Sequence, residues 1–109
     1  MNTSAEQINR NLAGYTEVRQ LDIQFEVETG SYELQLTLAD AQGDTRILSC
    51  RDISSLKMDD FGGGLTQFLV LRCDDVREMQ LDRVALHFAE LERRSIVFDC
   101  LNAEVLFSS

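Results

Sequence analysis

Apolar and polar residues alternate from Tyr15 onward. Leu21, Ile23, Phe25 and Val27 fall on one side of a two-residue period; Asp22, Gln24, Glu26 and Glu28 fall on the other. That pattern predicts a half-buried strand. Thr29-Gly30-Ser31 interrupts it, and Gly30-Ser31 suits a tight type II′ hairpin turn. A second alternating run places Tyr32, Leu34, Leu36 and Leu38 inside and Glu33, Gln35 and Thr37 outside. A two-residue turn sets Val27 opposite Leu34, Phe25 opposite Leu36 and Ile23 opposite Leu38, apolar against apolar. Ala41-Gln42-Gly43-Asp44 supplies the next turn, with residues 45–51 as a third strand. If Gln42-Gly43 is the loop, Leu38 faces Ile47.

Residues 52–65 are irregular, anchored by Ile53, Leu56 and Met58 or coiled into a short helical turn after Asp52. Phe61-Gly62-Gly63-Gly64-Leu65 is a loop, because three glycines lose too much backbone entropy in a regular element. Residues 67–73 are apolar on both faces and predict a central, covered strand ended by Asp74-Asp75. In the last third, Val84, Leu86 and Phe88 alternate with Arg83, Ala85 and His87, predicting a strand. Leu81, Val84, Phe88 and Leu91 also match helical spacing, so a helix over 76–92 is the alternative. Glu92-Arg93-Arg94 turns the chain into a final run through Ile96, Phe98 and Cys100 towards Val105 and Phe107, with Asp99 outward. Residues 1–14 form a flexible segment or one short helix seeded by Ser4, with Ala5, Ile8 and Leu12. The expected fold is one mainly-β domain over 15–109. It is an antiparallel meander of six or seven strands closing into a sandwich or partly open barrel, with a glycine-rich crossover.

A chain of 109 residues at 44% hydrophobic content is long enough for one core without metal or disulfide staples, and too apolar for disorder. Nineteen acids against ten bases give a net charge of −9. That field repels nucleic-acid phosphates and favours either a basic partner or plain solvation. No apolar run approaches the ~20 residues of a membrane span. Residues 1–14 lack the basic-then-apolar order of a signal peptide. Cys50, Cys73 and Cys100 are scattered, form no C-x-x-C pair and sit in or at the end of strands. Reduced, packed thiols in a cytoplasmic protein are expected.

Catalytic signals are sparse. Asp60-Phe61-Gly62 spells a kinase tripeptide without the accompanying motifs, in a chain too short for a kinase. The glycine run follows Asp59-Asp60 and precedes no G-K-[ST], so a structural turn is favoured over a phosphate cradle. His87 is the lone histidine, and three distant thiols with it make no evident metal set; no cofactor is expected. No calcium loop occurs. The acids are more informative. In the two-residue-turn register, Asp22, Glu26, Glu28 and Glu33 share the outward face, with Glu28 directly opposite Glu33. Like charges placed so weaken a sheet, which points to use by a basic partner. Asp59, Asp60, Asp74 and Asp75 extend that field, and Arg19, Arg46 and Arg51 neutralise part of it.

Asp52-Ile53-Ser54-Ser55-Leu56, the segment Phe61-Gly62-Gly63-Gly64-Leu65-Thr66-Gln67 and the run Ser95-Ile96-Val97-Phe98-Asp99-Cys100 carry a resemblance. They resemble a group of small acidic bacterial proteins with an F-G-G-G-L-T-Q loop after a β-meander and an I-x-F-x-C final strand. The resemblance implies an immunity protein of a polymorphic or contact-dependent toxin system, which neutralises a cognate toxin and has no catalytic residues. A nuclease toxin with a basic cleft would be met by an acidic surface, with fast, electrostatically steered association. A non-enzymatic β-scaffold or ligand-binding module is the alternative.

Overall fold

The computed structural model describes residues 4–59, 61–68, 70–79 and 84–107. Its first element is the helix α1, Ala5–Leu12, started by Ser4. The Ser4 hydroxyl accepts from the Gln7 N–H at 3.2 Å, satisfying one of the donors a helix leaves unpaired at its start. Ile8 and Leu12 lie one turn apart and are buried. Among the described residues eight strands follow: β1 Glu17–Glu26, β2 Ser31–Ala39, β3 Thr45–Arg51, β4 Ser54–Met58, β5 Leu71–Asp75, β6 Leu86–Glu90, β7 Ile96–Cys100 and β8 Asn102–Phe107. They make two four-stranded antiparallel sheets, ordered β1-β2-β3-β8 and β4-β7-β6-β5. The arrangement is sandwich-like and does not close into a barrel.

The strand count exceeds the expected six or seven because one long ribbon bends. β3 pairs β8 in the first sheet, and their continuations β4 and β7 pair in the second. The register carries across the corner: Arg51 faces Asn102 on one side and Ser54 faces Asp99 on the other. Asp52 turns the chain with φ 56°, a left-handed conformation that Asp tolerates better than most residues. The Leu101 N–H bonds the Arg51 carbonyl at 3.1 Å and holds the facing strand at the bend.

Both meander turns differ from the two-residue loops the pattern favours. Glu26 pairs with Ser31, leaving Val27–Gly30 as a four-residue turn. The Gly30 N–H returns to the Glu26 carbonyl at 2.8 Å, one helical turn closed by a glycine at φ 69°. Phe25 therefore faces Tyr32, Ile23 faces Leu34 and Leu21 faces Leu36, four residues from the expected partners. Four is even, so every side chain keeps its face. The second correction has the opposite consequence. Asp40 closes a longer loop, its carboxylate accepting from the Gln42 and Asp44 N–H groups at 3.0 and 2.9 Å. Leu38 then faces Arg46, and Ile47 faces Thr37 on the outer side. That one-residue shift makes Leu48 and Cys50, not Ile47, the buried pair on β3.

The core lies between the sheets. Leu34, Leu36, Leu38, Leu48 and Cys50 meet Leu86, Phe88, Ile96, Phe98 and Cys100, with Ile8, Leu12 and Phe68 filling one side. Phe88 and Phe98 are cross-strand partners with rings stacked 4.9 Å apart. Residues 86–90 are strand, resolving that ambiguity, and a 3-10 turn covers Arg77–Met79. The strand expected to be central and covered is in fact an edge: β5 starts at Leu71, includes Asp74 and Asp75, and Val70 before it is exposed. Its open side is covered by α1, where Asn9 donates to the Cys73 carbonyl at 2.8 Å and accepts from the Cys73 N–H at 2.7 Å. A side-chain amide there stands in for a neighbouring strand. The glycine loop is confirmed among its described residues, with Gly62, Gly63 and Gly64 all at positive φ.

Candidate functional site

Residues opposite one another in a ladder share a face. Asp22, Gln24 and Glu26 therefore lie with Gln35, Glu33 and Ser31 on the side of the first sheet turned away from the core. Three of the expected contact residues, Asp22, Glu26 and Glu33, are brought together there. Glu28 sits at the exposed hairpin tip, and the expected Glu28–Glu33 pair does not exist. Glu33 faces Gln24 on one side and Arg51 on the other, with a 4.0 Å ion pair to Arg51. The argument from a destabilising like-charge pair is thus overturned by the four-residue turn. What remains is a set of carboxylates, Asp22, Glu26 and Glu28, without a cation partner among the described residues. Among the described residues, Asp22 accepts from the Gln24 amide alone, at 3.1 Å. Glu104, on β8, belongs to the same face beyond Gln35 and Ser49. Alternation alone could not place it there, because β8 reaches that sheet only through the corner.

The remaining acids do not join this face. Asp74 and Asp75 lie on β5, in the other sheet, bonded to Arg72 at 2.8 Å and Arg77 at 2.6 Å. Asp59 follows β4, also in the second sheet, and Asp60 lies outside the described residues. Of the arginines expected to offset the acidic face, only Arg51 does so. Arg19 pairs with Glu17, and Arg46 stacks between Tyr15 and Phe107 at 4.7 and 4.2 Å.

The other face of the hairpin is apolar. Leu21, Ile23, Phe25 and Tyr32 share the side that carries buried Leu34 and Leu36, yet the second sheet does not reach them all. Phe25 and Tyr32 are each 52% exposed, in edge-to-face contact with ring centroids 5.1 Å apart. Val27, beyond them at the tip, is 81% exposed.

A cleft of about 480 Å³ opens on the outside of the second sheet, lined by Ser55, Lys57, Asp59, His87, Arg94 and Asp99 among others. His87 Nδ1 lies 2.6 Å from Asp99 Oδ1, and the ladder places His87 between Asp99 on β7 and Asp74 on β5. The carboxylate beside His87 was invisible in sequence because Asp99 is twelve residues away on the neighbouring strand. No hydroxyl or thiol is bonded to His87 among the described residues, so the pair lacks an attached nucleophile. Lys57 and Arg94 have no carboxylate partner there. No group of three His, Cys, Asp or Glu side chains suited to a metal ion occurs among the described residues.

The three cysteines are free and buried. Burial raises the Cys50 thiol well above its ordinary pKa, helped by its hydrogen bond to Cys100 and the neighbouring thiols. Burial, then Cys100 and the charges of Asp74 and Asp75, push Cys73 up to about 12 against the pull of Arg77. Neither thiol offers a thiolate nucleophile at neutral pH. No known protein family, curated protein or solved structure matches the chain. No described helix is long and apolar enough to cross a membrane.

Proposed function

We propose that this chain is a non-catalytic inhibitor of the immunity type, which binds a basic toxin domain through the acidic hairpin β1–β2. The observation that carries the reading is the group Asp22, Glu26 and Glu28, three carboxylates without a cation partner among the described residues, in a chain of net charge −9. Carboxylates left unpaired on a strand and its hairpin tip are free to meet lysines and arginines of a partner, and such pairs accelerate encounter. The toxin-neutralising role itself rests on the F-G-G-G-L-T-Q and I-x-F-x-C segments.

Growth of cells expressing the toxin-like domain encoded immediately upstream of this gene tests it, with and without the chain. Rescue, together with a stoichiometric complex that weakens with salt, is expected. The triple reversal D22K/E26K/E28K changes two charges per site, taking the net charge from −9 to −3. It weakens the complex while leaving the urea midpoint within the small range usual for surface changes. Unchanged affinity would remove this face from the interface.

The second reading, a ligand-binding module, has the His87–Asp99 cleft behind it, with Lys57 and Arg94 available to an anionic group. A thermal-shift series with inorganic phosphate and small carboxylates, repeated on His87→Ala, separates the two readings.

A further inference from the structure

A sheet edge exposes backbone groups that invite another strand, and soluble proteins blunt such edges. The β5 and β4 edges are blunted here. α1 packs on β5, and Asn9 occupies the outward N–H and carbonyl of Cys73. β4 is five residues long and irregular between Ser54 and Lys57, where Ser55 stands at φ 54°. The start of β1 is covered as well: the Val18 N–H bonds Thr66, and Thr16 accepts from the Phe68 N–H.

From Gln20 to Glu26 the rest of the β1 edge is different. The register with β2 is unbroken over these residues, and no described residue bonds the side of β1 away from β2. Only alternate backbone groups of an antiparallel strand face one neighbour, so the other set along this stretch is open. The two faces that flank the open edge have opposite chemistry. Ile23 and Phe25 lie on one side, 38% and 52% exposed, and Asp22 and Glu26 on the other.

We infer that the β1 edge is a docking site for an extended basic segment of a partner protein, which adds as a fifth strand to the first sheet. Alternating side chains of such a segment would rest apolar groups on Ile23 and Phe25 and lysines or arginines beside Asp22 and Glu26. Charge favours this occupant over a second copy of the chain, which brings the same carboxylates to the edge where a basic segment brings cations. Antiparallel pairing of two β1 edges about Gln24 would set Asp22 of each against Glu26 of the other, like charges directly opposed. This inference rests on the proposed basic partner and adds how that partner is held.

The probe is a synthetic octapeptide alternating lysine and valine, titrated into the labelled full chain and followed by amide chemical shift and hydrogen exchange. A lysine octamer and an alternating peptide N-methylated on every second residue serve as controls. Saturable binding of the alternating peptide, with slowed exchange confined to Gln20–Glu26, is expected. N-methylation and Phe25→Lys should each weaken it about tenfold or more. Equal binding of all three peptides would overturn strand addition and leave the acidic-surface reading standing. Binding by none of them would overturn both. Self-association that protects the same amides would give the edge to a second copy and overturn the inference.

Discussion

Glu90 is the least expected stabilising residue in the chain. It is a carboxylate only 2% exposed, at the end of β6. Its two oxygens accept from the Arg93 N–H at 2.7 Å and the Glu92 N–H at 3.3 Å, tying down the turn that joins β6 to β7. Burial alone would raise its pKa. The backbone amides of Arg93, Glu92, Ser95 and Arg94 together outweigh burial and hold it below the ordinary value. Glu90→Gln keeps the shape but replaces one accepting oxygen with an NH₂ that opposes a backbone donor. Hydrogen bonds to a charged group contribute about 1.5–3 kcal/mol each, so losing one outright and neutralising the other costs about 2–3 kcal/mol. With a urea slope of about 1–2 kcal/mol/M, the unfolding midpoint falls by about 1–3 M at pH 7. The pH dependence follows from the lowered folded-state pKa. The carboxylate's contribution is complete above the unfolded value of about 4.3 and disappears as pH falls through the lower folded value. The gap between wild type and Glu90→Gln is therefore widest above about pH 5 and closes on acidification. Equal midpoints at pH 7, or a gap unchanged at pH 3, would refute the account.

Phe88→Ala removes one ring of the stacked pair with Phe98 and costs about 3–5 kcal/mol in urea unfolding. Asn9→Ala takes both hydrogen bonds from Cys73 and uncovers the β5 edge. It costs about 1–3 kcal/mol and speeds exchange of the Cys73 amide, which a purely helical effect of the substitution would not do. Thiol titration with an aromatic disulfide finds no reactive cysteine in the folded chain and three in urea. Prompt native reaction would show that the buried thiols are reachable.

The legible part of this protein was the part encoded at short range. Alternation identified the meander, the face of each residue from Leu21 to Glu26 and along β2, and the strand at 86–90, because a two-residue period is a property of the strand itself; the bulge between Val18 and Gln20 inverts that parity at the start of β1. Ser4 and the Ile8–Leu12 spacing offered a short helix as one of two readings of residues 1–14, and α1 is the one that forms. Turn geometry was less legible. Gly30-Ser31 satisfies a type II′ turn, but glycine's left-handed freedom serves equally as the last residue of the four-residue turn that forms. Asp40 likewise moved the β2–β3 register by a residue and exchanged Ile47 for Leu48 in the core.

Sequence by itself determined a mainly-β chain with an excess of acids, and which side of each hairpin strand is apolar. Only the tertiary structure decided how much of that apolar side is covered. Leu34 and Leu36 are buried while Phe25 and Tyr32 on the same face are half exposed, because coverage depends on where the second sheet stops. It also decided which acids are already partnered: Asp74 and Asp75 by Arg72 and Arg77, Glu33 by Arg51, Glu90 by backbone amides, Asp99 by His87. Several of those partners stand on neighbouring strands, and a Coulomb or hydrogen-bond partner is chosen by distance in space, which chain order does not record.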